Sequence, residues 1–326
     1  MKDSLKALCE SFIVSRDTVK SAYKMESSCI YPLCANIFVS RDRTADENAL
    51  LSCKRLIKDQ TGVFSNFRGS VQAPLACFLS LTDRPEEKLS LALDFYDLLK
   101  QSFWASEYLS LAAVLLTEMT DRPTAEEKIV RGRTLYQRMK KEHPFLTSSE
   151  DSVFAVLLAF SEKDDDALIE DMEACYRLLK EQFSDSNCVQ TVSHVLALAE
   201  GTPQEKTDRM LRLFDGIRAA GGKYGRHYEL APLAALALLP LEMEGTIQDI
   251  LSVDEFLSRQ KGYGFWGLDR RIRMMHAVMV VSDACMPNGQ MEAAAMTSTL
   301  SLIAAQQMAT CAVICSSSAA ATSAHA

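Results

Sequence analysis

Glycine and proline are scarce in this chain, 13 and 9 among 326 residues, and aromatic side chains make up only 8%. A sandwich or barrel needs many turn residues, so this composition argues for helices instead. A basic surplus is also missing: 35 Lys and Arg stand against 43 Asp and Glu, a formal net charge of -8. Nucleic-acid binders carry a basic domain or stripe, so no nucleic-acid partner is expected. The chain has no Cys-x-x-Cys, no His-Glu-x-x-His, no Gly-x-Ser-x-Gly and no phosphate loop. The histidines at 143, 194, 227, 276 and 325 fall at no metal spacing. No catalytic residue, metal or cofactor is therefore assigned from motifs. Charge interrupts the apolar residues of Met1–Glu10 before a signal-peptide core can form. Most of the ten cysteines lie in apolar runs, as in a chain kept reduced in the cytoplasm, the expected location.

What the chain does have is a period. Phe95-Tyr96-Asp97-Leu98-Leu99-Lys100 is echoed at Leu135–Lys140, Cys175–Lys180, Leu213–Arg218 and Glu255–Gln260, which puts aromatics at 96, 136, 176, 214 and 256. Their spacings are 40, 40, 38 and 42 residues. Such a period belongs to stacked helical hairpins, each too small to bury its own apolar face. The expected fold is all-α: a helical-repeat array, α-solenoid or α/α toroid-like, of about seven hairpins of roughly 40 residues. The first two units cover 1–43 and 44–82, with Lys54 where the second aromatic should be; later units start near Asp83, Asp121, Lys163, Thr202 and Thr246. Asp83–Glu86, Thr124–Glu127 and Thr202–Glu205 have the form of capping boxes. Pro32, Pro74 and Pro232, each followed by leucine, mark second helices.

The two helices of a unit differ in kind. Over 86–101, Leu89, Ala92, Tyr96 and Leu99 form one apolar face, whereas Val153–Phe160 and Leu233–Leu239 are apolar all round. Helices without a polar face are buried, so the second helices should form an inner layer. Residues 1–289 are taken as the helical-repeat domain, 290–315 as an uncharged Ala/Met-rich helix and 316–326 as a low-complexity tail. No Asp, Glu, Lys or Arg occurs from Ala293 to Ala324, yet Gln306-Gln307 at mid-span argues against a membrane helix. Docking of Ala293–Cys315 on the second-helix layer is expected instead.

Gly262-Tyr263-Gly264-Phe265-Trp266-Gly267 matches the dinucleotide pattern G-x-G-x-x-G, but a helix precedes it where a strand is required, so it reads as a turn. Arg259, Lys261, Arg270, Arg271 and Arg273 surround it, the one basic concentration in an acidic chain. Tyr263, Trp266, Arg270 and Arg273 are the residues expected to hold an anion or an acidic partner. The blander reading is a solvated face with snorkelling stems. His194 and His276 read as core groups, and Asp164–Asp166 as a helix-capping turn.

From Glu229–Ala234 through Phe256–Gly264 to Arg273–Ala277, and in the Ala304–Ala309 tail, the sequence resembles the bacterial family catalogued as domain of unknown function 4003. That resemblance covers nearly the whole chain; it implies a cytoplasmic bacterial protein without assigned activity and supplies no catalytic residue. The expected function is an interaction scaffold for a protein or peptide. The alternative is an α/α-toroid enzyme with a pocket lined by the second helices.

Overall fold

A computed structural model describes residues 1–24, 26–264 and 267–286. Among the described residues there are fourteen α-helices, a short 3-10 turn at Gly69–Val71 and no strand. The odd-numbered helices are α1 (Asp3–Ala22), α3 (Glu47–Gln60), α5 (Pro85–Ser102), α7 (Arg122–Glu142), α9 (Asp165–Lys180), α11 (Pro203–Ala219) and α13 (Met243–Ser258). Alternating with them are α2 (Ile30–Val39), α4 (Gln72–Ser80), α6 (Glu107–Met119), α8 (Asp151–Leu158), α10 (Ser186–Ala197), α12 (Leu230–Ala237) and α14 (Arg270–Ala284). The described residues are thus all-α. None of the helices among the described residues is long and apolar enough to cross a membrane. The expected helix over Ala293–Cys315 and the tail after it lie outside the described residues.

Helix starts follow local chemistry, with two corrections. Thr202 and Glu205 form the reciprocal capping box at α11. At α7, however, Asp121 is the cap and accepts the Thr124 N–H, so Thr124 lies inside the first turn. At α5 the cap position is Arg84, with no side-chain cap; Pro85 instead opens the helix with a residue whose N–H is not needed.

Each odd-numbered helix packs on the even-numbered helix that follows. The odd helices also touch one another in sequence, α1 to α3 through α11 to α13, and the even helices do the same from α2 to α14. Contacts then return to the start, because α13 and α14 both pack on α1 and α14 packs on α2. The two sets differ in burial as the sequence predicts. Every residue of α2, α8 and α12 is buried, whereas α5 buries only Leu89, Ala92, Phe95, Tyr96 and Leu99.

The periodic aromatics sit on α5, α7, α9, α11 and α13. Four of them receive a ring from the odd-to-even connection of the preceding hairpin. Phe67 meets Tyr96 edge-on at 5.2 Å, Phe103 meets Tyr136 at 5.6 Å and Phe183 meets Phe214 at 5.1 Å. His143 lies 4.5 Å from Tyr176 in a tilted arrangement. Such pairs each contribute about 0.5–1.5 kcal/mol beyond area burial. Lys54 of α3 takes the place of the missing aromatic by setting its ammonium 4.1 Å from the centre of the Tyr23 ring.

Burying whole helices also buries their C-terminal carbonyls, which then need donors. Cations on odd helices or their connections supply them: Lys88 donates to the Phe78 carbonyl, Arg131 to Ala159 and Ser161, and Arg209 to Ala237. At α10 two ammoniums share this task. Lys163 donates to the Ala197 and Ala199 carbonyls and Lys206 to Ala199, and both meet Asp171 of α9. Lys206 is only 5% exposed. Asp171→Ala leaves these charges without their carboxylate, and breaking a buried pair in this way costs about 3–5 kcal/mol. Urea unfolding should show that loss; a cost below about 1 kcal/mol, as for an exposed pair, would mean that the carbonyls alone satisfy both ammoniums.

Candidate functional site between α13 and α14

The basic concentration lies on the turn joining α13 to α14, and backbone constraints shape that turn. Gly262 has φ of 95°, the left-handed region that glycine enters without strain, and its carbonyl accepts the Leu268 N–H at 2.8 Å. A Cβ on Gly267 would lie 2.1 Å from that same carbonyl oxygen, so only glycine fits. Asp269 then caps α14 by accepting the Arg271 and Ile272 N–H groups. The preceding connection ends α11 differently: Gly222 donates to Ile217 and Gly221 to Arg218, with Gly221 at φ 88°, a Schellman closure.

The four residues expected to act together have different surroundings. Tyr263 is 2% exposed, and its hydroxyl lies 2.9 Å from His276 Nδ1 on α14. The Arg16 guanidinium of α1 sits 5.4 Å from the Tyr263 ring centre, while Phe12 lies 6.2 Å from His276, so the turn clasps the last helices to the first. Burial pushes the Tyr263 phenol well up from its ordinary value. Arg273 is held by Asp254 of α13 through two bonds, Nε to Oδ1 at 2.7 Å and Nη2 to Oδ2 at 3.1 Å. Asp254 is 6% exposed, so this bidentate pair ties the two helices together. Arg270 reaches the Gly221 carbonyl at 3.3 Å across to the α11–α12 connection. Trp266, with Phe265, lies outside the described residues.

Two clefts flank the turn. One, of about 410 Å³, is lined by Arg218, Lys223, Arg270 and Arg271 together with Asp269. The other, of about 380 Å³, lies against α1 and is lined by Arg16, Lys20, Lys24 and Lys261, with Asp17 beside them. Sequence reasoning missed Lys20, Lys24, Arg218 and Lys223, since their connections are distant in sequence from the turn. Large apolar side chains are exposed on the connections before α4, α6 and α8: Phe64 is 100% exposed, Trp104 86% and Phe145 98%.

Two further clusters occupy the starts of even helices. Asp185, the cap of α10, Cys188 in its first turn and His227 before α12 bring one potential ligand atom each within 4.8 Å of the others. No spacing rule finds this set, because the histidine lies 39 residues after the cysteine. At α8, burial pushes the Glu150 carboxyl up and that of Asp151 up to about 7. Asp151 Oδ1 lies 3.5 Å from His194 Nδ1 on α10, and the imidazole is lowered to about 3, chiefly by burial.

His276 generates a pH dependence. Burial, and then the Arg16 charge, lower its imidazole from 6.5 to about 3. The unfolded chain therefore takes up a proton that the folded chain refuses as pH falls below 6.5. Stability is full above that value and declines by about 1.4 kcal/mol per pH unit as pH falls toward 3. His276→Asn keeps a polar atom for the Tyr263 hydroxyl and removes this titration. Chemical denaturation at pH 7 and pH 5 should show a shallower acid decline in the variant; parallel declines would mean that His276 does not carry it.

The matches with known proteins bear on kinship alone. This chain is 28% identical over 307 residues to the "Uncharacterized protein YeaA" of Bacillus subtilis (strain 168), an alignment covering 92% of this chain and 91% of that protein. No solved structure matches the chain. The family model described as "Protein of unknown function (DUF4003)" matches residues 17–308, most of the chain, and the chain belongs to that family.

Proposed function

We propose that the chain is a closed α/α ring of seven hairpins that serves as a cytoplasmic interaction scaffold. Its docking face is the end where odd helices turn into even ones. The closing contacts of α13 and α14 with α1 support the ring, and the alternation of amphipathic helices with more deeply buried ones, wholly buried at α2, α8 and α12, supports its two layers. One observation carries the docking face: basic clefts and exposed aromatics occur on the same class of connection. Lys20, Lys24, Arg218, Lys223, Arg270 and Arg271 contribute positive charge near the α1–α2, α11–α12 and α13–α14 connections. Phe64, Trp104 and Phe145 contribute apolar area on three others. Clustered cations steer and orient an acidic segment, while aromatics are the side chains most often found as binding hot spots. The partner that fits is an acidic peptide or protein segment with apolar anchors. Among the described residues Arg270 is exposed and bonded only to the Gly221 carbonyl, without a carboxylate partner, whereas Arg273 is engaged by Asp254.

The enzyme reading has one observation in its favour. Glu150 and Asp151 are raised carboxyls near Tyr108, the kind of group that serves as a general acid when a pocket adjoins it. It names no substrate, and the scaffold reading explains more of the exposed surface.

The test is fluorescence anisotropy with a labelled glutamate-rich peptide containing tryptophan and phenylalanine. Native protein should bind in a salt-sensitive manner. Lys223→Glu with Arg270→Glu, and separately Phe64→Ser with Trp104→Ser, should each weaken binding by about tenfold or more. Equal binding by all three proteins, or binding only to anionic lipid vesicles, would falsify the proposal.

A further inference from the structure

The trio at α10 has the composition of a metal site rather than that of an ordinary cap. We propose that Asp185, Cys188 and His227 bind one borderline divalent cation of the zinc class, with a fourth position open to solvent. The donors are a carboxylate oxygen, a thiolate sulfur and an imidazole nitrogen, the set that suits Zn²⁺ or Co²⁺ and not the oxygen-seeking Ca²⁺ or Mg²⁺. A tetrahedral ion at about 2.1 Å from O and N and about 2.3 Å from S needs donor atoms about 3.3–3.8 Å apart. Here all three ligand atoms lie within 4.8 Å of one another, and Asp185 Oδ2 is 2.9 Å from His227 Nδ1. Side-chain rotations that lengthen the 2.9 Å contact and bring the remaining separations, none above 4.8 Å, into that range convert this hydrogen-bonded trio into a coordination sphere.

The surrounding groups orient the donors and favour positive charge. Asp185 Oδ1 accepts the Cys188 backbone N–H at 3.1 Å, which leaves Oδ2 turned toward the imidazole. Glu229, 3% exposed, accepts the backbone N–H of His227 at 3.1 Å and fixes the loop that carries the ring. Burial and the nearby carboxylates of Asp185, Glu229 and Glu150 hold the Cys188 thiol well above its ordinary pKa, a negative environment that a cation would reverse. The closest arginine on the same loop, Arg226, is directed elsewhere: it packs over Phe183 and Phe214 and donates to the Gln182 carbonyl. The His227 side chain is 55% exposed, so an ion reaches the site from solvent.

Binding is balanced in protons. The thiol gives its proton to solvent as sulfur ligates the metal, and neutral imidazole ligates through Nδ1 with its proton on Nε2. One proton is released per ion. Because Asp185 and Cys188 start α10 while His227 precedes α12, the ion would join two neighbouring even helices at their N-terminal ends.

The experiment is titration of the reduced, full-length chain with Co²⁺, read by the near-ultraviolet thiolate-to-cobalt charge-transfer band and by proton release in weak buffer. The expected result is one cobalt and one proton per chain, with loss of the band on adding Zn²⁺. Cys188→Ser should abolish the band. His227→Ala and Asp185→Asn should each weaken binding by about tenfold or more, and asparagine retains the helix cap. Unchanged thermal unfolding without metal verifies that each variant is folded. Absence of the band from native protein, or a band of equal strength in Cys188→Ser, overturns the proposal, the second by assigning the cobalt to another of the ten cysteines.

Discussion

A helix with no polar face is stable in water only where other helices cover every side of it, and this condition governs the molecule. In α2, α8 and α12 every residue is buried, so their neighbours are dictated before any specific contact is considered. An amphipathic odd helix covers one side, the adjoining even helices cover two more, and the contact of α14 with α1 and α2 covers the helices that a linear stack would leave at its ends. The polar consequences follow. Buried helix ends orphan carbonyls, and Lys88, Arg131, Lys163, Lys206 and Arg209 deliver long cationic side chains to them.

The same condition explains the form of the periodic signal. An aromatic on an odd helix is placed to meet a ring from the odd-to-even connection of the preceding hairpin, so it fastens one pair of helices to the next. Lys54 shows that the requirement concerns the contact more than the residue type. Its ammonium over Tyr23 joins α3 to the end of α1 by a cation–π contact where other pairs use two rings.

The sequence disclosed what depends on neighbours along the chain. The all-α class, the alternation of amphipathic helices with more deeply buried ones and the Thr202–Glu205 box could all be read from spacing and patterning. Asp121 displaced Thr124 as a cap because two suitable oxygens lay three residues apart and spacing alone does not choose between them. The site was less legible, since its pairings cross between helices. Arg273 has the sequence context of an anion donor, but Asp254, 19 residues earlier, holds it. Lys20 and Lys24 reach the turn only because α13 and α14 pack back on α1. The Asp185, Cys188 and His227 grouping is likewise invisible without the packing of α10 against α12.

The α13–α14 turn thus has two duties that oppose each other. Its interior, Tyr263 against His276 with Arg16 and Phe12, fastens the last helices to the first and must stay dry. Its exterior, Arg270, Arg271 and Lys261, keeps cationic groups at two clefts on either side. Glycine reconciles the duties: Gly262 enters the left-handed region and Gly267 presses against its carbonyl, so the backbone reverses tightly enough to send the phenol inward. A substitution at Gly267 would therefore disturb the clasp before it altered the charged surface. On the proposed docking role, loss of binding in such a variant would report a failure to close, whereas loss on changing Arg270 would report on the surface itself.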